Sequence, residues 1–252
     1  MDCFIGIDYS GAATATSPLK NIQAYIAYPG HPPPPVLPNT AEQRSKYWSR
    51  QQLTHWLTEQ IQSRACLIGI DHGFSFPMDY FQRYQLSSWE SFLADFIHHW
   101  PSHQPETTVQ SLRTGNPRHG DAKQLRLCET WTSTASSIFQ MDVQGSVGKA
   151  THAGLPWLYA MRRQCGEKLH FWPFDGWQPE AGKSVIAESY PSLFKRRYPR
   201  ENRNADEQDA YALARWLQQS WQQGIMPHYL HPPLTEYQRS QAKLEGWILG
   251  VS

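Results

Sequence analysis

Short apolar runs recur along the chain, and several end in an acid. Cys3–Asp8 (CFIGID) reads as a buried strand closing on Asp8, with Ser10-Gly11 as the following turn. Residues 22–28 (IQAYIAY) form a second strand, close enough in sequence to pair with the first as a hairpin. The segment 29–38 carries six prolines, which excludes a helix interior or a central strand and leaves a loop or an edge. Within 45–63, Trp48, Leu53, Trp56, Leu57 and Ile61 fall near helical spacing.

Cys66–Asp71 (CLIGID) repeats the first strand almost letter for letter. Residues 72–150 hold no strong strand. They offer helical stretches at 88–100 and 122–134 around a polar loop at 113–121. A helix follows at 154–164, then a third buried strand at 184–189 (SVIAES) and a short basic helix. A strong helix spans 204–222, stopped by Gly224 and Pro227. The tail from 232 adds a short helix and an apolar end. This order predicts an α/β mixed sheet with helices on both faces, in one domain with a helical insertion at about 78–150.

Alternation along the strands gives geometry. Phe4, Gly6 and Asp8 share one face, and Leu67, Gly69 and Asp71 share one face, so each acid has a glycine two residues before it. Such a gap admits a closely packed helix or a ligand. On the last long helix, Asp206, Asp209, Ala210, Leu213 and Leu217 share the stripe expected to pack on the sheet, while Glu207 and Gln208 point elsewhere. Glu188 ends the third strand. Any one of these acids has a plain reading as a turn former or helix cap, Asp206 above all. Caps do not account for the matched glycines or for acids on a core-facing stripe.

Converging carboxylates repel one another and are costly to bury without cations. Oxygen-only ligands select hard ions, here Mg²⁺ or Mn²⁺. Two such ions about 3.5–4 Å apart can activate water and stabilise the leaving oxygen of a phosphodiester.

Composition narrows the field. The chain has 252 residues, 18% charged and 13% aromatic, with a net charge of +1. That argues against disorder and against a strongly basic nucleic-acid coat. Cys3, Cys66, Cys128 and Cys165 form no CxxC pair and read as reduced, buried thiols. The N-terminus lacks the basic and apolar regions of a signal peptide, and no apolar run approaches a membrane span. The expectation is a soluble cytoplasmic protein with no membrane partner.

Basic residues supply candidate substrate contacts. Lys195, Arg196, Arg197, Arg200 and Arg203 lie between Glu188 and the helix acids and could hold phosphates, or form a solvated helix face. Arg113, Arg118, Lys123 and Arg126 read as a mobile substrate loop or only a polar loop. Gly145–Lys149 lacks P-loop spacing but could offer backbone donors and Lys149 to a phosphate. His152 reads as a structural histidine, and Trp89, Trp100, Trp131 and Trp157 as core. No serine sits in a G-x-S-x-G elbow.

These residues carry a resemblance. GID at 6–8 with Ser10-Gly11, IGID at 68–71, VGKATHAGLP at 147–156, ESYPS at 188–192, DEQDAYALA at 206–214 and EGWILG at 245–250 resemble the family of predicted ribonuclease H-like nucleases. The resemblance runs in order over nearly the whole chain. It departs at His72-Gly73, where family members often carry a proline. It implies a ribonuclease H-like fold with the two Asp-ended strands adjacent. By position it also implies Asp8, Asp71 and Asp209 as metal ligands, with Asp206 as a helper. Glu188 belongs to the family's own motif. The resulting expectation is a divalent-metal-dependent nuclease acting on nucleic acid: Asp8 and Asp209 hold metal, Asp71 completes the site, and Glu188 and Asp206 ligate or orient water. Two other classes compete. One is a non-catalytic binding or scaffold protein on the same fold. The other is an actin-like kinase or ATPase, which would need a second copy of the fold and a second phosphate loop.

Overall fold

The computed structural model describes residues 1–38, 45–132, 135–143 and 147–252. The loop expected to offer backbone donors at 145–146 lies outside the described residues. The strands are β1 (Cys3–Asp8), β2 (Gln23–Ala27), β3 (Pro35–Val36), β4 (Cys66–Asp71), β5 (Leu169–Trp172) and β6 (Ser184–Glu188). The helices are α1 (Arg50–Ser63), α2 (Met78–Arg83), α3 (Trp89–His99), α4 (Val109–Arg113), α5 (Leu127–Thr130), α6 (Val147–Cys165), α7 (Ala205–Gln222), α8 (Met226–Leu230) and α9 (Glu236–Glu245).

The six strands form one mixed sheet in the order β3-β2-β1-β4-β6-β5. The β1–β2 hairpin is antiparallel as expected, and β3 places the proline segment at the sheet edge. β1, β4, β6 and β5 run parallel. The duplicated IGID strands are neighbours in exact register, with Gly6 opposite Gly69 and Asp8 opposite Asp71. Cys3 and Cys66 also face each other, with their Sγ atoms 2.9 Å apart, and all four cysteines are free and buried.

Parallel central strands are apolar because both faces are covered. Ile5, Ile7, Ile68, Ile70 and Ile186 face the core shared with Leu57 of α1, Phe96 of α3 and Leu158 of α6. Ile138 and Phe139 of the insertion, with Phe76 just before it, join that same core. Phe4, Leu67, Val185 and Ala187 face the other side, where Leu213, Trp216 and Leu217 of α7 cover them. α7 lies very close to β1: a side chain at Gly6 would collide with the Ala210 carbonyl and the Ala214 amide. The glycine before each acid therefore makes room for a helix, one of the two uses its position suggested.

Several elements differ from their sequence expectation. Of the helix expected at 122–134, residues 133–134 lie outside the described residues, and within 122–132 only α5 is helical, where Arg126 and Glu129 turn into the interior and pair with each other. α6 is longer than expected and continues through Pro156. β5 has no acid and no alternation to mark it, and it forms the sheet edge beyond β6. Asn204 caps α7, reciprocated by Glu207, so Asp206 is not the cap. Gln208 points away from the stripe that packs on the sheet, as expected, and is buried: it accepts from Arg203 and donates to the carbonyls of Lys195 and Tyr198. Helical periodicity could not show the segment 191–203 that covers this flank. Trp89 and Trp100 are buried, whereas Trp131 is 39% exposed and rests edge-on against Trp247. No helix among the described residues is long and apolar enough to cross a membrane.

The Gly6 contact is testable. Gly6→Ala forces α7 off the sheet, and overpacking at backbone should cost about 3 kcal/mol or more. Urea denaturation should show a matching fall in midpoint; an unchanged midpoint would mean that α7 does not lie against β1 in this way.

Candidate functional site

β1 and β4 end side by side, so register alone sets Asp8 next to Asp71 on the α7 face. α7 crosses above them and brings Asp209. One carboxylate oxygen from each of Asp8, Asp71 and Asp209 lies within 4.8 Å of the others. Asp206, one turn earlier on the helix, stands outside this triad, and its Oδ2 accepts from Asn21 Nδ2 at 3.0 Å. Lys195 Nζ donates to Asp209 Oδ2 at 3.0 Å.

The triad is short of positive charge. Burial, and then Asp71, Asp206 and Asp209, push the Asp8 carboxyl well above the ordinary carboxylate range. Burial and Asp209 push Asp71 up to about 8, against the opposing pull of Lys195. Burial raises Asp209 also, and Lys195 holds it back. Asp206 is raised by burial, with Asn21 opposing. Desolvated like charges that one ammonium does not balance are what a hard cation would relieve.

A second feature points the same way. Ser189 continues β6 beside Asp71, and its Oγ is buried with no hydrogen-bond partner. A Cβ at Gly69 would lie 2.7 Å from this Oγ, which places it on the face of Asp8 and Asp71. Three carboxylate oxygens this close are a donor set of the kind a hard divalent cation takes, with Asp8, Asp71 and Asp209 as the residues that could hold it.

Glu188 is not part of this cluster. It pairs in register with Ile70, so its side chain projects from the opposite face of the sheet. There it accepts from Arg126 Nη1 at 2.6 Å, Arg126 Nη2 at 2.5 Å and the Phe74 amide at 2.9 Å. Arg126 is 1% exposed and also pairs with Glu129 at 2.9 Å. Glu245 caps the same region through the amides of Met78 and Leu127. Arg126, expected in a substrate loop, is thus a buried counter-ion, and with Glu129 and Glu188 it stands in the wall of the cleft that the triad opens into. Arg113 and Arg118 are likewise engaged, with Asp142 and Asp95.

The triad opens into a cleft of about 890 Å³. Its lining includes the loop after β1, Asn21, Gln110 of α4, Asp142 and Lys149 near the start of α6. Arg196 and Arg197 are exposed and do not line it. Sequence reasoning gave no role to Arg50, which is fully buried and donates to the carbonyls of Ser10, Ala12 and Ala13 at 2.7–3.1 Å. It fixes the cleft-lining loop against α1. Gly11 of the same loop packs on the Lys149 carbonyl, where any side chain would clash. Asn21 carried no signal either, since only the fold brings it to Asp206. His72 is buried between Tyr9 and Phe74, and burial lowers it to about 4, so it stays neutral. His152 is buried among Phe76, Phe96 and Trp100, also lowered to about 4 by burial, as a structural histidine should be.

No protein-family model, curated protein or solved structure matches the chain.

The raised Asp71 carboxyl sets a pH dependence. Between the ordinary value of 3.8 and about 8 the folded chain keeps a proton that the unfolded chain has lost. Stability of the metal-free protein should therefore fall as pH rises through that window. Asp71→Asn should flatten the fall in melting temperature between pH 5 and pH 8. An identical slope in the variant would show that Asp71 ionises normally.

Proposed function

We propose that the protein is a divalent-metal-dependent phosphodiesterase acting on nucleic acid, on a ribonuclease H-like fold. The observation that carries this reading is the Asp8–Asp71–Asp209 triad, held by two in-register parallel strands and one helix and left short of positive charge. The strand order supports the fold assignment, because the two Asp-ended strands are adjacent and the helix bearing the third acid crosses them.

Hydrolysis adds water at phosphorus, breaks the P–O bond to the leaving nucleotide and delivers a proton to that oxygen. A divalent ion supplies the Lewis acidity for this chemistry and lowers the pKa of water. The chain's own residues do the rest. Asp8, Asp71 and Asp209 hold the ion. Asn21 orients Asp206 at the rim of the cleft. Lys149 meets incoming phosphate, and the loop clamped by Arg50 forms one wall. Arg196, Arg197 and Arg200 are exposed beside α7 and suit contacts to the phosphate backbone beyond the cleft.

Asp8→Asn tests this reading. Even outer partners of a metal site cost about 10–100-fold when lost, and a direct ligand should cost more. Against a panel of single-stranded, duplex and branched DNA and RNA with Mg²⁺ or Mn²⁺, the wild type should cleave and Asp8→Asn should not, with unchanged circular dichroism. Equal activity in both proteins would remove the triad from the chemistry. A wild type that binds nucleic acid without any cleavage would favour the scaffold reading.

A further inference from the structure

We propose that the centre is built for a single divalent ion, with the Lys195 ammonium standing as its second cation. This rests on the metal-dependent reading above and narrows it.

The charges close around one ion. Asp8, Asp71 and Asp209 bring three negative charges, and Lys195 offsets one of them from 3.0 Å, while outside the triad the charges of Asp206, acting on Asp8, and of Arg200, acting on Asp209, are opposite in sign. One divalent ion neutralises the remainder. A second would leave the centre positive even after a singly charged phosphodiester had entered, unless a further carboxylate joined. Among the described residues, Asp206 and Glu188 are the acids the sequence suggested for this, and each has another partner. Asp206 is held by Asn21 at 3.0 Å, outside the triad. Glu188 lies on the opposite face of the sheet in a bidentate pair with Arg126.

Lys195 is anchored for this place. It opens the single 3₁₀ turn Lys195–Arg197, and its carbonyl accepts from Gln208, the residue before Asp209. The preceding Phe194 stacks on Trp216 of α7, with ring centroids 4.5 Å apart. Lysine and aspartate are thus fastened to the same helix, and the ammonium moves with the carboxylate it touches.

Independent of the acids, the buried Ser189 Oγ beside Asp71 lacks a partner. Buried hydroxyls are seldom left so, and an ion held by the triad, with its hydration, provides the missing partner. In two-ion centres one ion stabilises the leaving oxygen. A compact ammonium is a point charge of the right sign for that position.

Titration of the metal-stripped full chain with Mn²⁺, followed by calorimetry and by the paramagnetic resonance of free Mn²⁺, tests the proposal. The wild type should bind one ion per chain. Lys195→Met should bind Mn²⁺ severalfold more tightly, because a repelling charge is gone, and Lys195→Arg should stay near wild type. Two ions per wild-type chain would overturn the single-ion centre while leaving the metal-dependent reading intact. Unchanged or weaker binding by a folded Lys195→Met would overturn the role of Lys195. No binding by the wild type would overturn both readings together.

Discussion

Three carboxylates confined within 4.8 Å of one another, with one lysine against them, form the constraint on which the rest of this end of the molecule depends. Each would rather be solvated, and each is held by something that cannot relax. Asp8 and Asp71 sit at the ends of central parallel strands locked in register. Asp209 rides on α7, which Gly6, Ala210 and Ala214 allow to touch the sheet. The fold cannot relieve the repulsion by a small shift, so without a cation the carboxyls hold their protons to higher pH. Strain of this kind in a cleft is a recognised mark of function, because it is released when a ligand of opposite charge arrives.

The same molecule shows how it buries charge when no ligand is needed. On the opposite face of the sheet, Glu188, Glu129 and Arg126 saturate one another with short ion pairs, and Glu245 takes two backbone amides. Losing one member of such a buried network is costly, because it strands an uncompensated charge. The two clusters project from opposite faces at the ends of neighbouring strands, and both line the cleft. Each has more carboxylates than cations, and they differ in that Glu188 and Glu129 are held by short guanidinium pairs and Glu245 by backbone amides. Arg126 also ties the insertion to β6, and Phe92, Phe96 and Phe139 of the insertion share a core with Leu155 and Leu158 of α6.

Much of this was legible in the sequence where local periodicity and repetition applied. The repeated IGID strands, the shared face of glycine and acid, and the helix bearing Asp209 follow from alternation and from helical spacing. Glu188 shows the limit. Ending a strand in an acid says nothing about which face that acid takes, and the face depends on register with Ile70, a relation across the chain. Arg126 had the same difficulty, since a basic residue in a polar loop carries no sign that it will be fully buried. Arg50, Asn21 and the flank over Gln208 were invisible because their partners lie far away in sequence. Ser189 follows Glu188 with nothing in the sequence to mark it, and its significance comes from its missing partner.

The most direct measurement of the central claim is anomalous diffraction from a crystal soaked in Mn²⁺ near pH 8. The account predicts a strong peak bounded by carboxylate oxygens of Asp8, Asp71 and Asp209. A fully soaked crystal with no peak there, or with its manganese bound elsewhere, would contradict it.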